Sequence, residues 1–258
     1  MSIENVDLSF KGVQAIADIS FNVYKGEVCA LIGPNGAGKS SMLNIINGVY
    51  TPQKGRIVFD NKVYKRMRPH QMAIDGIART FQNIALFQGM TVLDNIMTGR
   101  NLKMKSTFWE QAIFYGRPRR EEIEHRRRVE EIITFLQIEA IRNTPVNKLA
   151  YGLQKRVELG RALAMEPKLL LLDEPMAGMN LEEKKDMSCF IGEINRELGT
   201  TIVLIEHDMS VVMDISDHVV VMDYGEKIGD GTPEEVRNNK AVIEAYLGVS
   251  HDGKNSVR

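Results

Sequence analysis

The sequence contains only two cysteines, Cys29 and Cys189, and neither belongs to a paired or histidine-containing motif. A small secreted domain framed by disulfides needs more cysteines, so we expect a chain from a reducing compartment. A metal site built from thiolates is excluded on the same ground. Hydrophobic residues make up 43% and charged residues 26% of the 258 residues, which is ordinary for a globular protein and argues against disorder.

Net charge and long apolar runs are also missing. The 33 basic and 34 acidic residues give a formal net charge of −1, which offers nothing to attract nucleic acid or anionic lipid. Apolar runs such as 169–172 and 219–222 hold four residues, whereas a membrane-spanning helix needs about 20. Residues 1–10 lack the basic and apolar segments of a signal peptide. We therefore expect a cytosolic chain that does not bind nucleic acid.

Four short apolar runs predict buried strands of a parallel sheet. They lie at 28–32, 169–172, 202–205 and 219–222. Strands that are apolar on both faces are typical of parallel sheets covered by helices. Helical patterns at 40–49 and 181–198 separate these runs, and the alternation of strand and helix predicts an α/β fold.

An antiparallel layer is predicted near the N-terminus. Residues 3–10, 16–23 and 56–63 nearly alternate between apolar and polar side chains, as strands with one buried face do. Asp60 and Asn61 predict a turn within the third of these segments.

The stretch 91–165 contains no strand pattern and predicts an inserted helical lobe. Its segment 121–136 is rich in Glu and Arg, with Glu124 placed four residues before Arg128 for a helical ion pair. We interpret these arginines as a solvated helix face rather than a nucleic-acid surface. A second helix is predicted at 154–165.

These elements predict one domain over residues 1–248. Its α/β core and β layer would take 1–90 and 166–248, and the helical lobe would take 91–165. Residues 249–258 would form a polar tail.

A glycine-rich run follows the first predicted strand. It fits the phosphate-loop pattern of glycine, four residues, glycine, lysine and serine or threonine. Such a loop between a strand and a helix lets backbone N–H groups surround a phosphate at the helix N-terminus. We expect Lys39 to neutralise β- and γ-phosphate oxygens and Ser40 to bind Mg²⁺. The predicted phosphate-binding residues are Gly33, Pro34, Asn35, Gly36, Ala37, Gly38, Lys39, Ser40 and Ser41.

Polar residues follow two further predicted strands. Asp173 and Glu174 come directly after 169–172, and ligand sites of such sheets lie at the carboxyl ends of the strands. We expect Asp173 to hold Mg²⁺ through water and Glu174 to deprotonate the attacking water. His207 follows the strand at 202–205. A lone histidine is usually structural, yet this one emerges at the same rim and could bond a γ-phosphate oxygen.

Together these motifs resemble the ATP-binding cassette (ABC) family from about Ile3 to Gly248. The resemblance implies a P-loop NTPase (RecA-like) core and MgATP as the bound nucleotide. It further implies that Phe10 stacks on adenine, that Gln82 is the Q-loop glutamine and a further Mg²⁺ ligand, and that His207 is the switch histidine.

Residues 149–154 occupy the position of the family signature, usually Leu-Ser-Gly-Gly-Gln, and match it only partly. In the family two cassettes sandwich two ATP molecules, so the resemblance implies that Ala150, Tyr151 and Gly152 contact the nucleotide of a second subunit. Ala150 lacks the usual serine hydroxyl. Tyr151 could pack beside the phosphates or point away from them.

Four phrases are similar to branched-chain amino acid importer subunits of the LivG type. They lie at 77–83, 177–180, 205–209 and 245–248. Asn180 replaces the usual D-loop aspartate, as in that group. Lipopolysaccharide-export ATPases are similar in motifs but shorter over 99–120. A nucleotide-gated cassette protein without transport is the other alternative, because the signature is weak. Branched-chain amino acids are the first expectation for the substrate, with urea, short amides and other small solutes open.

The LivG resemblance implies partners for the chain. We expect separate transmembrane permease subunits, a second ABC ATPase subunit forming a hetero- or homodimer, and an indirect link to a solute-binding protein. The chain would then sit peripherally at the cytoplasmic face of the membrane, and the isolated chain would be mostly monomeric without ATP. Apolar residues in 83–95, among them Leu86 and Phe87, would form part of a groove for a permease helix.

Overall fold

The computed structural model describes residues 1–66, 68–104 and 117–247, so the predicted tail 249–258 lies outside the described residues. The chain divides into two compact units. One contains Met1–Pro69 and the chain from Asn195 onward, and the other is His70–Ile194. Among the helices of the described residues, none combines the length and the apolar character of a membrane span.

The strands and helices follow the predicted alternation. In chain order the strands are β1 (Ser2–Phe10), β2 (Val13–Asn22), β3 (Val28–Ile32), β4 (Lys54–Phe59), β5 (Lys62–Tyr64), β6 (Ile77–Arg79), β7 (Leu169–Asp173), β8 (Thr201–Ile205), β9 (His218–Asp223) and β10 (Glu226–Gly231). The α-helices are α1 (Lys39–Ile46), α2 (Pro69–Asp75), α3 (Val92–Thr98), α4 (Arg117–Phe135), α5 (Tyr151–Leu163), α6 (Leu181–Leu198), α7 (Met209–Ile215), α8 (Pro233–Arg237) and α9 (Lys240–Leu247).

The first unit contains the predicted antiparallel layer, with strand order β2-β1-β4-β5. Ile3, Val6 and Leu8 of β1 are buried, with a register shift between Ile3 and Val6, and their burial fixes which face of the strand meets the core. Asp60 and Asn61 connect β4 to β5 with φ angles of 49° and 61°. Positive φ at two consecutive residues is the backbone of a tight hairpin turn, which confirms the predicted turn.

The first unit also contains the mostly parallel strands β10-β9-β3-β8, in that order. β3 pairs in parallel with β8 on one side and β9 on the other. All five residues of β3 and of β8 are buried, as the continuous apolar runs predict. β10, which pairs antiparallel with β9, was not predicted because its sequence is mainly charged residues and glycine.

Helices α7, α8 and α9 cover one side of these strands. Their buried valines join alternate residues of β3 and β9 in a single hydrophobic cluster, which consists of Ala30, Ile32, Val212, Val219, Val221, Val236 and Val242. The C-terminal helices are therefore anchored to the strand that leads into the phosphate loop.

The second unit pairs β6 with β7 in parallel, with Ile77 opposite Leu169 and Arg79 opposite Leu171. Helix α3 packs against α4 and α5. No strand forms in the described part of 91–165, in agreement with the predicted helical lobe. The second unit, His70–Ile194, is larger than the predicted lobe 91–165. It includes β6 and β7, which pair with each other and lie on either side of the lobe in sequence.

Two local expectations were wrong. Helix α5 begins at Tyr151 rather than near Gln154, so residues of the signature segment form its first turn. Arg128 pairs with Glu131 and Glu166 instead of Glu124. Glu131 lies three residues after Arg128 on α4, and Glu166 lies just after the end of α5.

Candidate functional site

The phosphate-loop residues form a tight turn between β3 and α1. Gly33, Gly36 and Gly38 have φ angles of 150°, 83° and 99°, a region that favours glycine. A Cβ added to Gly33 would lie 2.0 Å from the backbone oxygen of Met222, and one added to Gly38 would lie 2.6 Å from that of Ala15. At Gly36 an added Cβ would meet nothing within 4 Å. The first and last glycines are therefore required by packing, while the middle one borders open space.

Lys39 is the buried cation of this loop. Its Nζ donates hydrogen bonds to the carbonyl oxygens of Gly33 at 2.8 Å and Pro34 at 2.9 Å. Gly38 precedes α1 without a side-chain cap, so the first N–H groups of the helix have no side-chain acceptor from the N-cap residue. Ser40 is exposed in the first turn and Ser41 is half-buried. A buried ammonium beside uncapped helix amides suits a phosphate anion.

The two other predicted site residues of the first unit flank different strands. Phe10 ends β1 with 42% of its surface exposed, and its ring meets Tyr50 edge-on at a centroid distance of 5.0 Å. Tyr50 was not predicted, although an aromatic residue just after α1 is the available sequence signal. His207 is exposed two residues after the end of β8, and Asp208 is the N-cap of α7.

In the second unit, Asp173 ends β7 and is almost fully buried. Its Oδ2 accepts a hydrogen bond from Arg79 Nη2 at 2.8 Å, within an ion pair whose side chains are both under 10% exposed. Its Oδ1 is buried and has no hydrogen-bond partner among the described residues. A carboxylate oxygen in this condition is a suitable acceptor for a water molecule of a hydrated Mg²⁺. Sequence reasoning missed Arg79, which ends the neighbouring parallel strand.

Glu174 and Gln82 contact each other directly. Gln82 Nε2 donates a hydrogen bond to Glu174 Oε2 at 2.9 Å. Glu174 has a φ of 49°, a value that is uncommon for a residue other than glycine and that often marks a functional position. The predicted base and the predicted Q-loop glutamine are therefore brought together within this unit.

The signature residues form the start of α5. Ala150 is the N-cap and offers no side-chain hydrogen bond to the helix. The ring of Tyr151 lies against Gly178, where an added Cβ would be 3.1 Å from the Tyr151 ring. At Gly152 an added Cβ would lie 2.3 Å from Glu183 Oε1. The N-terminus of α5 thus packs against the segment 178–183, and a side chain at position 152 would displace the Glu183 carboxylate.

Asn180 caps the following helix. Its Oδ1 accepts a hydrogen bond from the Glu183 backbone N–H at 2.9 Å, and Glu183 Oε2 accepts one from the Asn180 N–H at 3.0 Å. This reciprocal pair is a capping box. An asparagine at this position therefore serves the helix terminus as an aspartate would.

A buried ion pair on α5 holds the backbone of the Q-loop, and sequence reasoning missed it. Lys155 and Glu158 are 3% and 1% exposed, and Lys155 Nζ lies 3.7 Å from Glu158 Oε2. Lys155 Nζ also donates to the carbonyl oxygens of Phe81 at 3.2 Å and Gln82 at 2.9 Å. In return, the Phe81 N–H donates to Glu158 Oε1 at 3.2 Å. The signature helix is thus fastened to the backbone of the residue that contacts Glu174.

Burial dominates the electrostatics of this side of α5. It raises the pKa of Glu158 above its usual value, although the charge of Lys155 and the backbone N–H of Phe81 act in the opposite direction. Burial likewise lowers the pKa of Arg161, which donates a hydrogen bond to the Ala85 carbonyl. The charged forms of Glu158 and Arg161 lose hydration free energy on burial, and their hydrogen bonds to the backbone of 81–85 offset part of that loss.

Cys29, Glu27 and His218 form a group that the sequence spacing did not predict. Their potential ligand atoms lie within 4.8 Å of one another. Burial raises the pKa of the Cys29 thiol well above its usual value, so the thiol stays protonated. The His218 ring bonds Glu27 Oε1 at 3.3 Å and Asp230 Oδ1 at 2.7 Å. We interpret these contacts as structural and assign no metal to them.

The phosphate loop and the acidic strand end together define a class of protein. A phosphate loop joins a buried parallel strand to a helix, and an acidic pair ends another buried strand, which is the arrangement of a phosphate-loop nucleotide-binding protein. The family model described as "ABC transporter" matches residues 16–177, and the model described as "Branched-chain amino acid ATP-binding cassette transporter" matches residues 226–252. The chain belongs to the ABC transporter family and is one of its ATP-binding ATPase cassettes.

Curated relatives match almost the whole chain. The high-affinity branched-chain amino acid transport ATP-binding protein BraF of Pseudomonas aeruginosa is 36% identical over 248 residues, covering 96% of this chain and 97% of BraF. The transport ATP-binding protein LivG of Escherichia coli K12, which has the same description, matches with the same identity and coverage.

Solved structures agree on the fold. A nucleotide-free ATP-binding cassette from an ABC transporter gives a TM-score of 0.82 at 31% identity, covering 95% of this chain and 97% of that structure. The ADP conformation of MJ1267, also an ABC transporter cassette, gives 0.82 at 32% identity, covering 96% and 98%. A dimeric structure of the bacterial cassette MJ0796 gives 0.77 at 25% identity, covering 90% and 98%. The predicted α/β P-loop NTPase fold is therefore confirmed.

Proposed function

We propose that this chain is the ATP-hydrolysing subunit of an importer for branched-chain amino acids. The relatives BraF and LivG support this proposal because the similarity extends over 96% of the chain. The C-terminal match at 226–252 favours a branched-chain importer over the lipopolysaccharide-export alternative, because it lies outside the general cassette match. The observation that carries the proposed ATPase activity is the phosphate loop with its buried Lys39, whose ammonium is bonded to loop carbonyls that phosphate oxygens can replace.

Each site residue is assigned a role in this proposal. Residues 33–41 bind the phosphates, Phe10 stacks on the adenine, and Glu174 accepts the proton of the attacking water. Gln82 holds the Glu174 carboxylate in place, and His207 donates a hydrogen bond to the γ-phosphate. Ser40, Gln82 and Asp173 would hold Mg²⁺, which neutralises phosphate charge when it is bound. The partnerless Asp173 Oδ1 supports this ligand set.

The partners follow from the same proposal. Separate permease subunits carry the solute across the membrane, and a solute-binding protein delivers it to them. A second cassette subunit completes the nucleotide site, with Ala150, Tyr151 and Gly152 acting in trans. The chain then sits at the cytoplasmic face of the membrane through its permease contacts.

The loop that would receive a permease helix is organised by one buried asparagine. Asn95 is fully buried, and its Oδ1 accepts the Phe87 N–H at 2.9 Å while its Nδ2 donates to the carbonyl oxygens of Phe87 and Thr91. Phe87 remains 55% exposed, whereas Leu86 is buried. An exposed aromatic ring on a fixed loop is the kind of residue that anchors a protein interface.

Transport in membrane vesicles that contain the assembled importer tests this proposal. We expect leucine, isoleucine or valine to accumulate when MgATP is supplied, and Glu174→Gln in this subunit to reduce that uptake strongly. A matched control is Glu193→Gln on α6, whose carboxylate accepts a hydrogen bond from the Cys189 thiol and, among the described residues, bonds no predicted nucleotide-site residue. Purification of the chain from membranes should recover permease subunits and a second cassette. ATP-dependent uptake of another solute class, with none of branched-chain amino acids, would refute the substrate assignment.

A further inference from the structure

A cavity of about 550 Å³ lies within the first unit, between helices α7, α8 and α9. This volume is within the range of small-molecule binding sites. The apolar part of its wall consists of Met209, Met213, Val236, Val242, Ile243 and Tyr246. Methionine side chains adapt their shape to a ligand more easily than branched ones do, so this wall suits a compact aliphatic group.

Two opposite charges line the same cavity. Asp214 is exposed on α7 and Arg237 is exposed on α8. Within the described ranges, neither side chain makes a hydrogen bond or an ion pair, so both can contact a ligand. The cavity therefore offers one anion, one cation and an apolar wall to a single ligand.

The walls of the cavity adjoin the nucleotide-binding elements of this unit. Met209 lies two residues after His207 and begins α7. Tyr246 reaches the phosphate loop: burial raises the pKa of its hydroxyl, and the backbone N–H of Gly33 acts in the opposite direction. A ligand in the cavity would therefore touch Met209, which is close in sequence to His207, and Tyr246, which is next to Gly33 of the phosphate loop.

We propose that this cavity binds an aliphatic α-amino acid as its zwitterion, with the ammonium at Asp214, the carboxylate at Arg237 and the side chain on the apolar wall. Charge complementarity favours this occupant, because a zwitterion can pair with both charges, whereas a fatty acid can pair only with Arg237 and an amine only with Asp214. The ligand binds on the ATPase subunit itself, so it would come from the cytosolic pool. The binding does not rest on the proposed transport function, since it needs only the purified chain.

Calorimetric titration of the purified full chain with L-leucine tests this site. We expect saturable binding, and binding weaker by about tenfold or more for 4-methylpentanoate, which lacks the ammonium, and for 3-methylbutylamine, which lacks the carboxylate. Asp214→Asn and Arg237→Gln should each weaken leucine binding by about the same factor. Glu244→Gln and Lys240→Gln are the matched controls, because they remove charges from α9 without altering the cavity wall, and they should leave the affinity unchanged.

A variant that fills the cavity provides a second test of leucine binding. Ile243 is 42% exposed at the cavity wall, so Ile243→Trp should occupy the space while the thermal unfolding of the chain stays close to that of the parent. We expect this variant to lose leucine binding. Equal leucine affinity in the parent, Asp214→Asn and Arg237→Gln would overturn the proposal, as would no binding at millimolar leucine. Binding that appears only in a chain ending at Leu247 would also overturn it, because residues 248–258 would then be the occupant.

Discussion

Replacing Lys155 by methionine should uncouple the signature helix from the Q-loop. Methionine keeps the length and the apolar stem of lysine, so the main loss is the ammonium. That ammonium donates to the carbonyl oxygens of Phe81 and Gln82 and lies 3.7 Å from Glu158 Oε2, in a site that is almost fully buried. Removing one partner of a buried ion pair costs about 3 to 5 kcal/mol, because the other charge is left without compensation. The loss of two hydrogen bonds from a charged donor gives a similar cost in unfolding free energy, about 3 to 6 kcal/mol.

The assay is urea unfolding of the purified chain, followed by circular dichroism, for Lys155→Met, Glu158→Gln and the double variant. We expect the double variant to be more stable than Lys155→Met alone by at least about 1 kcal/mol, because glutamine removes the uncompensated charge and keeps an oxygen for the Phe81 N–H. Lys185→Met on α6 is the control. This exposed lysine should change stability by no more than about 0.5 kcal/mol.

The pH dependence of Lys155→Met follows from the raised pKa of Glu158. A carboxyl group whose pKa is higher in the folded state than in the unfolded state destabilises the fold when it is ionised. That penalty is relieved as the pH falls through the folded-state pKa, so the variant should recover stability relative to the parent as the pH is lowered from 8 towards 5. A loss below about 1 kcal/mol at pH 8, with additive effects in the double variant, would refute the idea that this pair is buried and coupled.

Four further predictions concern the site and the stability of the chain. Glu174→Gln should retain ATP binding and lose nearly all turnover, because the amide keeps the shape without the base; turnover at the parental rate would assign the base elsewhere. Lys39→Ala should weaken MgATP binding itself, and equal affinity in a filter-binding assay would contradict its contact with the phosphates. Ala150→Ser in the Glu174→Gln background should increase the dimer fraction seen by size-exclusion chromatography with MgATP, since it restores a hydroxyl; an unchanged fraction would show that backbone amides carry the trans contact. Glu166→Gln should lower the thermal unfolding temperature at pH 7 but not at pH 3: burial acts to raise the pKa of Glu166, yet Arg100 and nearby cations hold it below its usual value, so its stabilisation is lost as the pH falls through that pKa. A difference in unfolding temperature between the parent and Glu166→Gln that persists at pH 3 would contradict this explanation.

The buried strands were predictable because their environment leaves a simple pattern. β3, β7, β8 and β9 are covered on both faces, so their residues are continuously apolar and their bounds match the prediction to within one residue at each end. β6 has only three residues and β10 is mostly charged or glycine, so neither leaves a pattern of this kind. Their positions are fixed by pairing with a neighbouring strand, and pairing cannot be inferred from the strand's own sequence.

The site shows the same contrast between local and distant determinants. The phosphate loop is one continuous segment whose glycines are required by the local backbone, so eight consecutive residues were enough to predict it. The partner of Asp173 is Arg79, which lies 94 residues away in the chain and reaches it only because β6 and β7 run in parallel. The start of α5 was misplaced for a related reason. Ala150 is an N-cap without a capping side chain, so the sequence carries no signal there.

The contacts of α5 change how the weak signature should be interpreted. From the sequence, the absence of a serine at position 150 suggests a weaker contact with the second subunit, because the usual hydroxyl donor is missing. In the structure the first turn of α5 packs against Gly178 and Glu183, and its next turns hold the Q-loop backbone through the Lys155–Glu158 pair. The helix is therefore fixed by contacts that do not involve position 150. A serine there would act as a helix cap worth about 1 kcal/mol within the subunit as well as a donor to a second subunit. Thermal unfolding of Ala150→Ser without nucleotide isolates the first effect, so any additional gain in dimerisation with MgATP measures the second.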